Sequence, residues 1–251
     1  MREKLIALSI VKKGNWNEIY KYLRTDSKLK NIDDVASCQL VNNLKCDAIT
    51  LVDKDYPHEW REMSKPPFVV YLKGNRSLLK KPSLSIIGGK QISHYTKKEI
   101  EKLVKNLPPK ISIATGFEQG AEVYANQFEN KRLVCLASGF ATDELYQKNK
   151  IYHKLSSDDL IMSELPPYAK FDLQAYYRSY HLIAELSQVI CIFELANFDL
   201  RVKYLNYLTE IGKDVFVLPD KLSRQTDGGI AMINRGAKCL LQPSDIAVLY
   251  D

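Results

Sequence analysis

The chain has 251 residues, 45% apolar and 10% aromatic, with a formal net charge of +6; it is long enough to bury a full core. No apolar run approaches the roughly 20 residues that span a bilayer, and the Met1-Arg2-Glu3-Lys4 start lacks the apolar stretch of a secretory signal, so the cytoplasm is the expected compartment. The five cysteines, at 38, 46, 135, 191 and 239, include no C-x-x-C pair and no histidine at metal-ligand spacing, so no metal, cofactor or disulfide is expected.

Residues 1 to about 50 read as short helices, with Leu5, Leu8, Ile19, Tyr22, Leu23, Val35, Leu40 and Leu44 at near-helical spacing. They are expected to form a small helical module over 1–54. Asp55-Tyr56-Pro57 and Lys65-Pro66-Pro67 punctuate a connector, and Phe68 to Leu72 followed by Lys73-Gly74-Asn75 reads as a strand ending in a turn. A second domain is expected over 55–251.

From residue 83 apolar runs alternate with helix-length segments, the pattern of a mostly parallel sheet with helices on both faces. Strands are expected at 84–87, 111–114, 133–137, 160–163, 189–193, 215–218 and 239–241. Helices are expected near 97–106, 120–129, 144–155, 176–187, 200–211 and 229–235, with a short terminal one at 243–250. Cys135, Cys191 and Cys239 fall inside strand-like runs, where a thiol serves as a small core residue.

Ligands bind such sheets beyond the carboxyl ends of the strands, so the loops after strands carry the functional signal. The apolar run Ser83 to Ile87 stops at Gly88-Gly89-Lys90, a glycine turn of the kind that cradles phosphate before a helix. The run Ile111 to Ala114 stops at Thr115-Gly116, and Gly120 opens the next helix, so two glycine loops are available to offer N–H groups to an anion. Residues 73–106 hold nine Lys or Arg against Glu99 and Glu101, so the positive excess surrounds the first loop. That charge fits a polyanionic partner or the wet face of a helix burying Ile100, Leu103 and Val104. Glu164 and Glu194 end two strands, placed either as an acid/base pair or as helix caps or partners of nearby lysines. Tyr168, Tyr176, Tyr177 and Tyr180 beside Arg178 suit base stacking or aromatic packing.

The colinear order of Ile87-Gly88-Gly89-Lys90, Thr115-Gly116, Gly120-Ala121-Glu122, Ser163-Glu164-Leu165-Pro166-Pro167 and Leu182 to Ser187 resembles the DprA/Smf family of DNA-processing proteins. Gly212 to Pro219 and Ile233-Asn234-Arg235-Gly236-Ala237 extend the likeness, which runs over about residues 55–242. The resemblance implies an extended Rossmann-like fold and a non-enzymatic protein. Its ligand would be single-stranded DNA, bound in a basic pocket. It also implies a homodimer that assists loading of the RecA recombinase during transformation.

Residue by residue, Gly88, Gly89 and Lys90 stand where the family has Gly-Ser-Arg, and Ser93 matches the serine just beyond. Ser179-Tyr180-His181 stands in place of an Arg-Asn-Arg, with Arg178 one position early. Arg201 and Lys203 restore charge where the family's Ser-Gly-Ser loop is replaced by Asp199 to Tyr204, and Glu122 and Asn126 replace an Asp and a His. The implied DNA contacts are Gly88, Gly89, Lys90, Ser93, Lys97, Gly116, Gly120, Arg178, His181, Arg201 and Lys203, with Lys98 adding charge. Family members often continue into a winged-helix domain, which is not expected before the last residue here, Asp251. The competing readings are a nucleotide-binding or phosphoribohydrolase-like Rossmann enzyme using Glu194, and a degenerate partner-binding module.

Overall fold

A computed structural model describes residues 1–116, 120–141, 155–219 and 227–250. In chain order the elements are α1 (Arg2–Val11), α2 (Trp16–Thr25), α3 (Asp34–Asn42), β1 (Asp47–Thr50), α4 (His58–Arg61), β2 (Val69–Gly74), a 3₁₀ turn (Arg76–Lys80), β3 (Ser83–Gly88), α5 (His94–Asn106), β4 (Ser112–Thr115), α6 (Ala121–Ala125), β5 (Arg132–Cys135), β6 (Leu160–Ser163), α7 (Leu173–Leu186), β7 (Val189–Phe193), α8 (Leu200–Glu210), β8 (Asp214–Val217), α9 (Asp227–Ile233), β9 (Lys238–Cys239), α10 (Ser244–Ala247) and a closing 3₁₀ turn (Val248–Tyr250). The helix expected over 144–155 falls largely on residues outside the described set.

Two compact units result, one from Met1–Arg76 with Leu136–Ser179 and the other from Ser77–Cys135 with Tyr180–Asp251. The first of them joins α1 to α3 with three strands. In that first unit β1, β2 and β6 form antiparallel ladders, with Ala48 opposite Tyr71 and Tyr71 opposite Ser163. Strand β1 was not expected from the sequence. The Tyr71 hydroxyl donates to Ser9 Oγ at 3.1 Å, tying α1 to β2 through buried groups. Helices α2 and α3 start where Asn15 and Asp33 side chains accept the N–H groups of Glu18 and Ala36, which satisfies donors that a helix end leaves open.

The second unit is an all-parallel sheet in the order β5-β4-β3-β7-β8-β9. Alternation in β3 shows why helices cover both faces. Leu84 and Ile86 join Ile100, Leu103 and Val104 of α5 in one apolar cluster. Ser85, pointing the other way, donates to Ile183 O of α7 at 3.0 Å, and its hydroxyl lies 2.8 Å from that of Ser187. Small residues there let the helix approach the sheet closely.

Strand limits lie within a few residues of those expected. Helix α6 is shorter than expected, ending at Ala125. Cys135 and Cys191 are core residues, whereas Cys239 lies exposed on the terminal strand, a correction to the core role expected for it. Among the described residues, no helix is long and apolar enough to cross a membrane.

Candidate nucleic-acid interface

In the parallel unit the chain moves outward from β3 through β4 to β5 and, on the other side, from β7 through β8 to β9. The connections therefore diverge between β3 and β7, and a crevice at such a switch point is where open α/β sheets receive ligands. Gly88 pairs with Phe193 there, so the Gly88-Gly89-Lys90 loop lies at this point. A Cβ on Gly88 would come within 2.5 Å of Phe193 O and 2.6 Å of Ala121 Cβ, so only glycine lets the end of β3 meet the start of α6.

The second glycine loop lies directly against the first. Gly120 has φ +78°, and a Cβ on it would fall 2.1 Å from Gly89 O; Ala121 N–H donates to the same carbonyl at 3.3 Å. The two loops expected to act side by side are thus in backbone contact. Residues 117–119 are outside the described set.

Under these loops lies a buried ionic network. The Glu122 carboxylate, wholly buried, accepts from the Tyr180 hydroxyl at 2.9 Å and from Arg201 Nη1 at 3.2 Å. Arg201 also donates to Gly88 O at 3.1 Å and, through Nε and Nη2, to both oxygens of Asp199 at 3.0 and 2.8 Å. Its guanidinium sits 4.6 Å from the centre of the Tyr180 ring. Arg201, expected at the surface as a phosphate contact, is interior and its charge is met by carboxylates of the fold. Neither Glu122 nor Tyr180 carried that signal alone. The hint in the sequence is Glu122 lying three positions before the small residue Ala125, on the same face of α6.

Burial alone would raise the Asp199 pKa, but the hydrogen bonds and charge of Arg201, with the charge of Lys90 added, hold it below the usual carboxylate range. Asp199 also caps α8, accepting the Arg201 N–H.

Glu194, the residue after β7, adopts φ +45° and turns its carboxylate onto the start of α5. It accepts the Ser93 N–H at 3.0 Å and the Thr96 hydroxyl at 2.6 Å, while Ser93 Oγ caps the helix by accepting the Thr96 N–H at 3.1 Å. An internal anion therefore occupies the helix N-terminus, a place that otherwise attracts phosphate. The Gly89 N–H is likewise used, donating to Phe193 O at 3.0 Å. Each of the two strand-end carboxylates has a structural role within its own unit: Glu194 caps α5 in the parallel one, and Glu164 holds Arg178 at 2.6 Å in the other.

Side chains of the loop and of the first turns that follow provide the outward charge. Lys90, Lys97, Lys98 and Lys203 are exposed, the last on the opening turn of α8. Lys97 lies 6.0 Å from the Tyr124 ring centre. His181 is half-buried and stacks on Tyr204 with ring centres 3.5 Å apart. Gly116 abuts the network, since a Cβ on it would lie 2.8 Å from Glu122 Oε2 and from the Tyr180 hydroxyl.

Fold and loop geometry together define a Rossmann-like α/β protein whose switch-point loops are held by an internal salt network and edged by lysines. Residues 47–251 match the family described as DNA recombination-mediator protein A, and the chain belongs to that family. It is 26% identical over 215 residues to DNA processing protein DprA of Streptococcus pneumoniae, covering 82% of this chain and 75% of that protein. It is 25% identical over 210 residues to Protein Smf of Synechocystis, of which it spans about half, 52%.

Among solved structures, DprA from Streptococcus pneumoniae superposes with a TM-score of 0.77 at 25% identity, over 88% of this chain and 80% of that one. DNA processing protein A from Helicobacter pylori, whose single-stranded DNA binding mode that structure addresses, superposes at 0.69 and 20% identity, over 83% of this chain and 96% of that one. The second likeness is one of fold. The DprA/Smf resemblance of the sequence motifs is thereby established as membership.

Proposed function

We propose that this protein binds single-stranded DNA and acts in DNA uptake and recombination, with the β3–α5 loop at the switch point as its phosphate contact. The observation that supports this most is the position of Lys90: exposed, on a glycine loop at the divergence of the sheet, in a chain of this family. Lys97, Lys98 and Lys203 widen the footprint. Arg201 and Arg178 serve the fold in this reading, and Gly88, Gly89, Gly116 and Gly120 shape the loops, while Ser93 caps α5. His181 lies at the margin, on α7.

The chain is not an enzyme in this reading. The carboxylate a phosphoribohydrolase-like reaction would use, Glu194, is bound as a cap to α5. The partners that accompany the reading are single-stranded DNA, a second copy of the chain and the RecA recombinase, in the cytoplasm.

A fluorescence-anisotropy titration with a labelled oligonucleotide at two salt concentrations tests it. Affinity should fall steeply with salt, each neutralised phosphate contributing about 0.7 to the log–log slope, and Lys90→Ala should weaken binding and flatten the slope. Absence of binding at low salt would remove the DNA reading. Binding indifferent to Lys90→Ala would remove the site. Hydrolysis of a nucleoside monophosphate, lost in Glu194→Gln, would favour the enzyme.

A further inference from the structure

Between α1 and α2 the chain turns through Lys13 and Gly14, both at positive φ (52° and 74°). A Cβ on Gly14 would lie 2.8 Å from Glu164 O and 2.9 Å from Leu165 Cδ2, so this turn is seated on the segment after β6. Glu164, buried there, holds Arg178 of α7 by two short bonds, Nε to Oε2 at 2.7 Å and Nη2 to Oε1 at 2.6 Å. Arg178 Nη2 also donates to Lys65 O at 3.2 Å. These contacts, all within the first unit, fix a preformed groove of about 760 Å³ between the α1–α2 turn and residues 164–178.

The groove combines flat rings with positive charge. Tyr168 and Phe171 line it from the β6–α7 loop and are 71% and 62% exposed. That loop is held in its turn by the Ala169 N–H donating to Pro166 O at 2.9 Å. Trp16 contributes a fixed wall, its Nε1–H donating to Pro66 O at 2.8 Å and its ring stacked with Tyr20 and Phe68 at 5.0 and 5.3 Å between centres.

Lys12, Lys13 and Lys170 line the groove, and the Lys65 ammonium stands 5.2 Å from the Trp16 ring centre. Against them the carboxylates are Glu18, Asp172 and Glu164. Asp172 caps α7 by accepting the Ala175 N–H at 2.8 Å, and Glu164 is neutralised by Arg178.

Exposed rings for bases and lysines for phosphates are the two components of a sequence-tolerant single-strand site. An acidic peptide would use the lysines and leave the two rings idle. We propose that this groove is a second contact for single-stranded DNA, in which unpaired bases stack on Tyr168 and Phe171 while Lys12, Lys13, Lys65 and Lys170 meet the backbone. The inference rests on the DNA-binding reading above, but on a separate set of residues.

The test uses the full chain with a labelled thymidine homo-oligonucleotide and with an abasic strand of the same length. The chain has two tryptophans, and Trp60 is fully buried, so Trp16 is the one placed to report on the groove. The thymidine strand should quench Trp16 fluorescence. Tyr168→Ala with Phe171→Ala should weaken that strand by about tenfold or more and leave the abasic strand unaffected, whereas Lys90→Ala should weaken both. Both rings are at the surface, so the double variant should keep the wild-type thermal midpoint.

Binding by anisotropy with no Trp16 response, or undiminished in the double variant, overturns the groove and leaves the DNA reading standing. No binding at low salt overturns both. Quenching by polyglutamate and not by the thymidine strand assigns the groove to an acidic peptide and overturns the proposal.

Discussion

Arg201 and Glu122, separated by 79 positions in sequence, meet inside the parallel-sheet unit with Nη1 3.2 Å from Oε1 and both side chains almost fully buried. The pair binds the first turn of α8 to α6 beneath the two glycine loops, and the Arg201 bond to Gly88 O joins it to the end of β3. A chain that reads as carrying a loose cation after β7 thus uses that cation to set the shape of the loop that displays Lys90. Removing one member of such a pair leaves a buried charge without its counterpart.

Glu122→Leu should therefore lower stability by about 3 kcal/mol, toward the low end of the 3–5 kcal/mol for a broken buried pair, because Arg201 keeps its bonds to Asp199 and Gly88 O. Arg201→Met should cost about as much, since Glu122 then loses the Arg201 guanidinium and keeps the Tyr180 hydroxyl. The double variant Glu122→Leu with Arg201→Met should cost less than the sum of the two single variants, recovering the part that belongs to the Glu122–Arg201 pair but not the Arg201 bonds to Asp199 and Gly88 O. Urea unfolding of the three variants measures this; single and double costs that simply add would show that the pair is not coupled.

Asp199 supplies a pH dependence with a definite sign. Its folded pKa lies below its ordinary value, so it contributes stability at pH above about 4, and that contribution is lost as pH falls through the folded pKa. The urea midpoint should drop more steeply below about pH 4 in the wild type than in Asp199→Asn. The variant should be less stable at neutral pH and converge on the wild type in acid. Parallel curves would mean that the Arg201 bonds to Asp199 contribute nothing.

Glu194 gives a prediction that separates stability from binding. Its carboxylate places an internal negative charge on the N-terminus of α5, beside the loop that bears Lys90. Glu194→Gln should cost about 0.5–1 kcal/mol of stability through the weakened cap. It should also raise oligonucleotide affinity by a few fold, since a charge that repels phosphate is removed. Thermal unfolding and anisotropy on the same preparation check both. Weaker DNA binding would mean that Glu194 orients the loop instead.

Much of the sheet was legible because its strands are buried on both faces and read as short apolar runs: β6 and β7 have the limits expected. Strand β1 was not legible. Asp47-Ala48-Ile49-Thr50 is too short to show alternation, and its pairing to β2 is a long-range choice that no local pattern encodes. Cys239 looked like core because Lys-Cys-Leu-Leu reads as a strand, yet it lies exposed on β9, the terminal strand of the sheet among the described residues.

The glycine loops were legible as loops, since a strand ending in glycine has few alternatives. The filling of the space beneath them was not. Arg201 and Glu122 are charged residues on separate helices, and only the folded topology makes them partners.

Gly120 tests how tightly the two loops are locked together. At φ +78° and ψ −121°, outside the left-handed helical well, an alanine is strained by about 1–3 kcal/mol, and its Cβ would stand 2.1 Å from Gly89 O, a backbone atom that cannot move without displacing the β3–α5 loop. Gly212 offers the comparison: its φ is +87°, but nothing lies within 4 Å of where a Cβ would be. Gly212→Ala should thus cost only the strain, about 1–2 kcal/mol. Gly120→Ala should cost clearly more and should shift the Lys90 loop, weakening oligonucleotide binding even under conditions where the variant remains folded. Urea midpoints and anisotropy for the two variants measure the difference. Equal costs at the two positions would mean that the loop contact is soft, and that the close approach of Gly120 to Gly89 does not hold Lys90 in place.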